Sequence, residues 1–162
     1  MKRAQCVVAS IALLLGLMAT NAAAVSCNVS APGVAFGGYD PFSTTALLGS
    51  GTITFTCSLD PSEHPTDINY AISLSTGQSN SYVQRQMQGP SDTLGYNLYT
   101  SATLGTVWGN GSGGSSTVSG SFKLTPGQPT KSAQNTVYGR IPAQQDVGVG
   151  AYSDSITVTV TF

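Results

Sequence analysis

The sequence predicts an all-β fold, specifically an immunoglobulin-like sandwich. Three observations carry that prediction. Every strong pattern beyond residue 24 has a period of two, clusters of Gly, Pro, Asn and Ser punctuate those patterns at short intervals, and that part of the chain holds an even number of cysteines, Cys27 and Cys57. No stretch there spaces its apolar residues three and four apart between caps, so essentially no helix is expected.

The first strand begins at Cys27, and a short one is expected at 34–36. "GTITFTCS" places Ile53, Phe55 and Cys57 on one face and threonines on the other, an arrangement that suits a half-buried pleated surface. "DINYAISLS" repeats it with Ile68, Tyr70, Ile72 and Leu74. A strand over 82–87 precedes "TLGYNLYT", whose inward set is Leu94, Tyr96 and Leu98. "STVSGSFKLT" aligns Val118, Phe122 and Leu124, with Gly120 expected as a bulge. A strand over 136–141 follows, and the chain closes on "DSITVTVTF". There Ile156, Val158, Val160 and Phe162 alternate with Ser155, Thr157, Thr159 and Thr161. Between these runs, "GGYDPFS", "DPSEHPTD", "STGQSN", "GNGSGGSS" and "TPGQPT" are turn and loop chemistry.

Residues 1–24 are expected to be a signal peptide. Lys2 and Arg3 give a positive start, an apolar run from Val7 to Met18 follows, and Ala22 and Ala24 stand where a signal peptidase reads small residues. The run is shorter than the roughly 20 residues that a membrane-spanning helix needs. Residues 25–162 then form one domain, exported through the inner membrane to the periplasm and from there to the cell surface or medium. In that oxidising compartment Cys27 and Cys57 are expected to pair across the sheets, closing a loop of about 30 residues and contributing roughly 3–4 kcal/mol. A lipid-anchor reading of Cys27 lacks an apolar residue three positions earlier, where Ala24 stands.

Without the leader, four of the six basic residues remain against seven acidic ones, a net charge of about −3. Such a surface does not recruit nucleic acid or anionic lipid, which require clustered Lys and Arg. Catalytic chemistry has little to work with. His64 is the single histidine and lies between Glu63 and Pro65, with no nucleophile elbow anywhere in the chain. Asp60, Glu63 and Asp67 share one polar loop without EF-hand spacing. "GNGSGGSS" lacks the Lys-Ser or Lys-Thr of a phosphate loop. No enzyme activity, metal or cofactor is expected. Trp108, beside Gly109 at a strand end, is either core packing or a possible ligand contact.

"CNVSAPGVAFGGYDP", "GTITFTC", "RQM", "LGYNLYTS", "WGNG", "TVYGRIPAQQ" and "GAYSDSITVTVTF" together resemble the spore coat protein U domain, over nearly all of Cys27 to Phe162. That domain is shared by a myxobacterial spore-surface protein and by subunits of archaic chaperone–usher pili. The resemblance implies an incomplete, pilin-like sandwich that lacks its last strand. It implies as partners a periplasmic chaperone, an outer-membrane usher and neighbouring subunits joined by β-strand addition. On this reading Ile156, Val158, Val160 and Phe162 form the docking edge for a chaperone or donor strand. Because Val25 and Ser26 alone separate the expected cleavage site from Cys27, the chain is expected to accept a strand without giving one, at a pilus tip or chain end. A spore-coat or outer-surface protein assembled without an usher is the first alternative. A carbohydrate or surface-binding module acting through Trp108 and the tyrosines is the second.

Overall fold

The computed structural model describes residues 25–162, so the expected leader, 1–24, lies outside the described residues. Eight strands follow in order: β1 (Val25–Ser30), β2 (Leu47–Leu59), β3 (Thr66–Leu74), β4 (Arg85–Gln88), β5 (Thr93–Tyr99), β6 (Val118–Leu124), β7 (Thr130–Ile141) and β8 (Val158–Thr161). They form two sheets, one in the order β1-β2-β7-β5-β4 and one in the order β6-β3-β8, with every ladder antiparallel. A single 3-10 turn, Gly77–Ser79, is the one helical element among the described residues.

The period-two faces become the core. Ile53, Phe55, Cys57 and Leu59 from β2 are buried against Ile68, Tyr70, Ile72 and Leu74 from β3, while the intervening threonines and serines stay at the surface. Each such side chain contributes about 1.5–3 kcal/mol by leaving water. At the heart of the core the Phe55 ring meets Tyr70, Phe122 and Phe162 at centroid distances of 5.1, 6.0 and 5.6 Å.

Five expectations need correction. The strand at 34–36 shrinks to one bridge, Ala35 to Ser50, and the strand at 82–87 shifts to Arg85–Gln88. That at 136–141 extends back to Thr130, because β7 pairs with β2 along its whole length. Gly120 sits in an unbroken ladder opposite Tyr70 and makes no bulge. It is glycine because a Cβ there would collide with the Tyr70 ring. Finally, Cys27 and Cys57 are bonded, but within one sheet: they are direct partners in the β1–β2 register, so the bridge staples neighbouring strands instead of crossing the sandwich.

The terminal ladder also starts later than the alternation suggested. Ser153 pairs with Gln88 of β4 in the larger sheet, and Val158 pairs with Leu74 of β3 in the smaller one. Residues 154–157 are the crossing between the sheets.

Candidate functional site

Two stretches outside the named strands flank one half of the sandwich. Residues 31–39 follow β1 and touch β2 at the Ala35–Ser50 bridge, whereas residues 147–157 precede β8 and touch β4 at Gln88–Ser153. Between them lies a partly enclosed groove of about 740 Å³. Packed interiors have few voids larger than a water molecule, and this one matches the volume of roughly two dozen waters. Its floor is apolar, built from Ile53, Leu74, Leu94, Leu98, Val137 and Ile141, each 4% exposed or less.

Glycines set the first rim. Gly49 of β2 and Gly139 of β7 are direct partners, and the Phe36 ring lies over both. A Cβ on Gly49 would come within 2.9 Å of that ring, closer than real contacts allow. Phe36 then reaches Tyr96 edge-on, at 6.0 Å between centroids. Residues 31–39 are thus anchored by side chains while most of their backbone is left outside any ladder. Unpaired backbone at a sheet edge is a template for another strand.

The second rim holds part of the expected docking edge. Ile156 and Val158 line the groove. Val160 packs against the core as the partner of Ile72, and Phe162, still 62% exposed, leans on Phe55; neither lines the groove. The proposed set therefore divides. Trp108 is corrected as a ligand contact, because it is fully buried and its indole N–H donates to the Ile72 carbonyl at 2.9 Å. A ring with no exposed surface cannot meet a ligand from solvent.

Sequence reasoning missed the polar groups that hold this half in place. Asp154 lines the groove and accepts hydrogen bonds from the Tyr96 hydroxyl at 2.8 Å, the Gln78 N–H at 3.0 Å and the Ser155 N–H at 2.8 Å. Burial, then the bond to Asp154, pushes the Tyr96 hydroxyl well above its ordinary pKa, so it remains a neutral donor. Gln145 acts as a surrogate strand, its amide accepting from Gly95 N–H and donating to Gly95 C=O, both at 2.8 Å. Its own N–H donates to the Tyr39 hydroxyl at 2.7 Å.

Arg85 is the third such group, a fully buried guanidinium. It donates to the Ser75 carbonyl at 2.8 and 3.0 Å, to the Trp108 carbonyl at 2.7 Å and to Asn97 Oδ1 at 2.6 Å. Burial lowers its pKa, opposed by Tyr96, Tyr82 and Asp154. None of these roles had a local signal, because each depends on partners distant in sequence.

The acidic loop does no such work. Asp60 accepts from the Ser62 N–H and hydroxyl, bonds that lower its pKa, and Asp67 lies 3.6 Å from Lys123 on the surface. Among the described residues, no three His, Cys, Asp or Glu side chains converge as a metal site, and no helix is long and apolar enough to cross a membrane.

Comparison with known proteins places these features. The family model for the Spore Coat Protein U domain matches residues 14–159. Protein U of Myxococcus xanthus is 30% identical over 134 residues, covering 78% of this chain and 70% of that protein. A similar fold occurs in the crystal structure of the CsuC–CsuE chaperone–tip adhesion subunit pre-assembly complex, from the archaic chaperone–usher Csu pili of Acinetobacter baumannii. The TM-score is 0.56 at 22% identity, over 86% of this chain and 40% of the matched one. The chain thus spans less than half the length of that structural relative.

Proposed function

The chain belongs to the Spore Coat Protein U domain family, and from that premise we propose that it is an exported surface subunit whose open groove accepts an extended strand from a partner. The family and the pilus-subunit fold are structural, so the chain is a structural protein and not an enzyme. The observation that carries the proposal is the groove itself, an apolar trough of about 740 Å³ between two rims that each make a single bridge to a neighbouring strand. An inserted strand would satisfy rim backbone groups with its own and place alternate side chains on the floor.

In this reading residues 1–24 direct export, a periplasmic chaperone first fills the groove, and an usher exchanges it for a neighbouring subunit's strand. A place at the end of an assembly, as a tip subunit or chain terminus, fits the likeness to the chaperone–tip adhesion subunit complex. Assembly into a coat without an usher is the second reading, favoured by the identity to Protein U.

Co-expression with its cognate periplasmic chaperone tests the acceptor role. Val158→Asp puts a charge in the groove and should lower recovery of soluble complex by several-fold to a hundredfold, in line with the loss of one buried apolar side chain. Thr161→Asp, on the exposed face of β8, should leave recovery near that of the unaltered protein. Equal behaviour of the two variants would refute the groove as the docking site.

A further inference from the structure

A second cleft, of about 580 Å³, lies on the opposite side of β3 and β8 from the groove. Its wall is the outward face of the small sheet, Ser73, Thr157 and Thr159, closed by the loops around residues 75–83 and 110–113. Among the described residues, no charged side chain lines it. The polar groups there retain hydrogen-bonding capacity. Asn110 Oδ1 is occupied by the Ser112 N–H and hydroxyl, at 3.0 and 2.6 Å, and its Nδ2 has no hydrogen-bond partner among the described residues. The Asn80 amide and the hydroxyls of Ser73, Thr157 and Thr159 have no side-chain hydrogen bond among the described residues.

The frame of this cleft is fixed in advance. Asn80 holds a left-handed conformation, φ 55°, at the end of the 3-10 turn. Tyr82 is pinned through its hydroxyl to the Leu74 carbonyl at 2.8 Å, and the Arg85 guanidinium lies 5.2 Å from its ring centre. The glycine-rich loop is tied by Gly109 N–H to Ser116 C=O and by Ser115 N–H to Ser112 C=O. Preorganised groups lose less freedom on binding. Val83, 86% exposed, adds an apolar surface at the rim.

We propose that this cleft binds an uncharged saccharide. Clustered hydroxyls and carboxamides offer both donors and acceptors, which is what a ring of sugar hydroxyls requires, and the exposed valine can cover a sugar's C–H face. A phosphate or an acidic sugar would find no positive charge among the lining residues to replace its hydration. The inference does not depend on the groove, since the two sites lie on opposite faces of the same sheet.

The test is to titrate the isotope-labelled, exported protein with maltotetraose and chitotetraose, using a hyaluronan tetrasaccharide as the anionic control, and to follow backbone amide signals. At least one neutral probe should shift signals at Ser73, Asn80, Asn110 and Thr159. The double variant Asn80→Gly, Asn110→Asp keeps the left-handed turn and the Oδ1 acceptor but removes the amide donors, and it should weaken that binding about tenfold. Unchanged melting of the variant would show that its fold is intact. The proposal is overturned if neither neutral probe shifts those signals, if hyaluronan binds as tightly, or if the folded double variant binds as well as the parent.

Discussion

The two halves of this sandwich share strands and inward faces, yet one is sealed and the other open. Around Cys57, Phe55, Tyr70 and Phe122 the sheets close on aromatic contacts, and a disulfide staples β1 to β2 within one of them. Around Ile53, Leu98 and Ile141 equally apolar residues border an open groove. What differs is the kind of restraint. Hydrophobic attraction has no direction and tends to close any gap it can reach, whereas a hydrogen bond fixes a distance and an orientation. The sealed half relies on the first, and the open half is propped by Arg85, Asp154 and Gln145.

Breaking the largest prop should have the largest effect. Arg85→Met leaves the Ser75 and Trp108 carbonyls without their side-chain donor and Asn97 Oδ1 with the Leu98 N–H alone, and should cost roughly 3–5 kcal/mol in urea denaturation. Cys57→Ser attacks the sealed half and should cost about 3–4 kcal/mol. Its loss should be the same with or without a strand-length peptide in the groove, whereas the Arg85→Met loss should shrink when the groove is filled. If both respond alike to the peptide, the two halves do not differ as described.

Tyr96→Phe removes one prop at a cost of about 1 kcal/mol. It also has a pH signature. Because the folded protein holds the Tyr96 pKa above the usual 10.0, the stabilisation is whole below pH 10 and is lost as pH rises beyond it. Melting temperatures measured above pH 10 should therefore fall less steeply in Tyr96→Phe than in the parent. The smallest expected change has the opposite sign. Asn135 pairs with Ile53 across the β2–β7 ladder, and its Nδ2 is buried without a partner among the described residues. Asn135→Leu should raise the melting temperature by a few degrees, since an orphaned polar group costs about 1 kcal/mol or more.

The sealed half was largely legible in the sequence. Alternation in "GTITFTCS" and "DINYAISLS" placed its inward residues, and cysteine arithmetic named the bonded pair. Which sheet the bridge belongs to was not legible, because that depends on β1–β2 register. The open half was read through Ile156 and Val158, whose periodicity survives in its rim, but Val160 and Phe162 follow the same period and fall outside the groove. Periodicity fixes a face, and it cannot say where along that face the covering elements stop. Arg85, Gln145 and Asp154 stand within "RQM", "TVYGRIPAQQ" and "GAYSDSITVTVTF", which carried the resemblance but assigned them no role, since a lone polar residue gains its role from partners that only folding brings near.

The in-sheet position of the disulfide has a mechanical consequence. Residues 31–39 continue directly from Ser30, so a pull on that rim would load β1 from its far end and unzip it from β2 pair by pair. Tearing could pass Ser30, Val29 and Asn28, but at Cys27 it meets a covalent bond to Cys57. The crack stops there, and further load must be borne by β2, which is laced to β7 from Leu47 to Ser58.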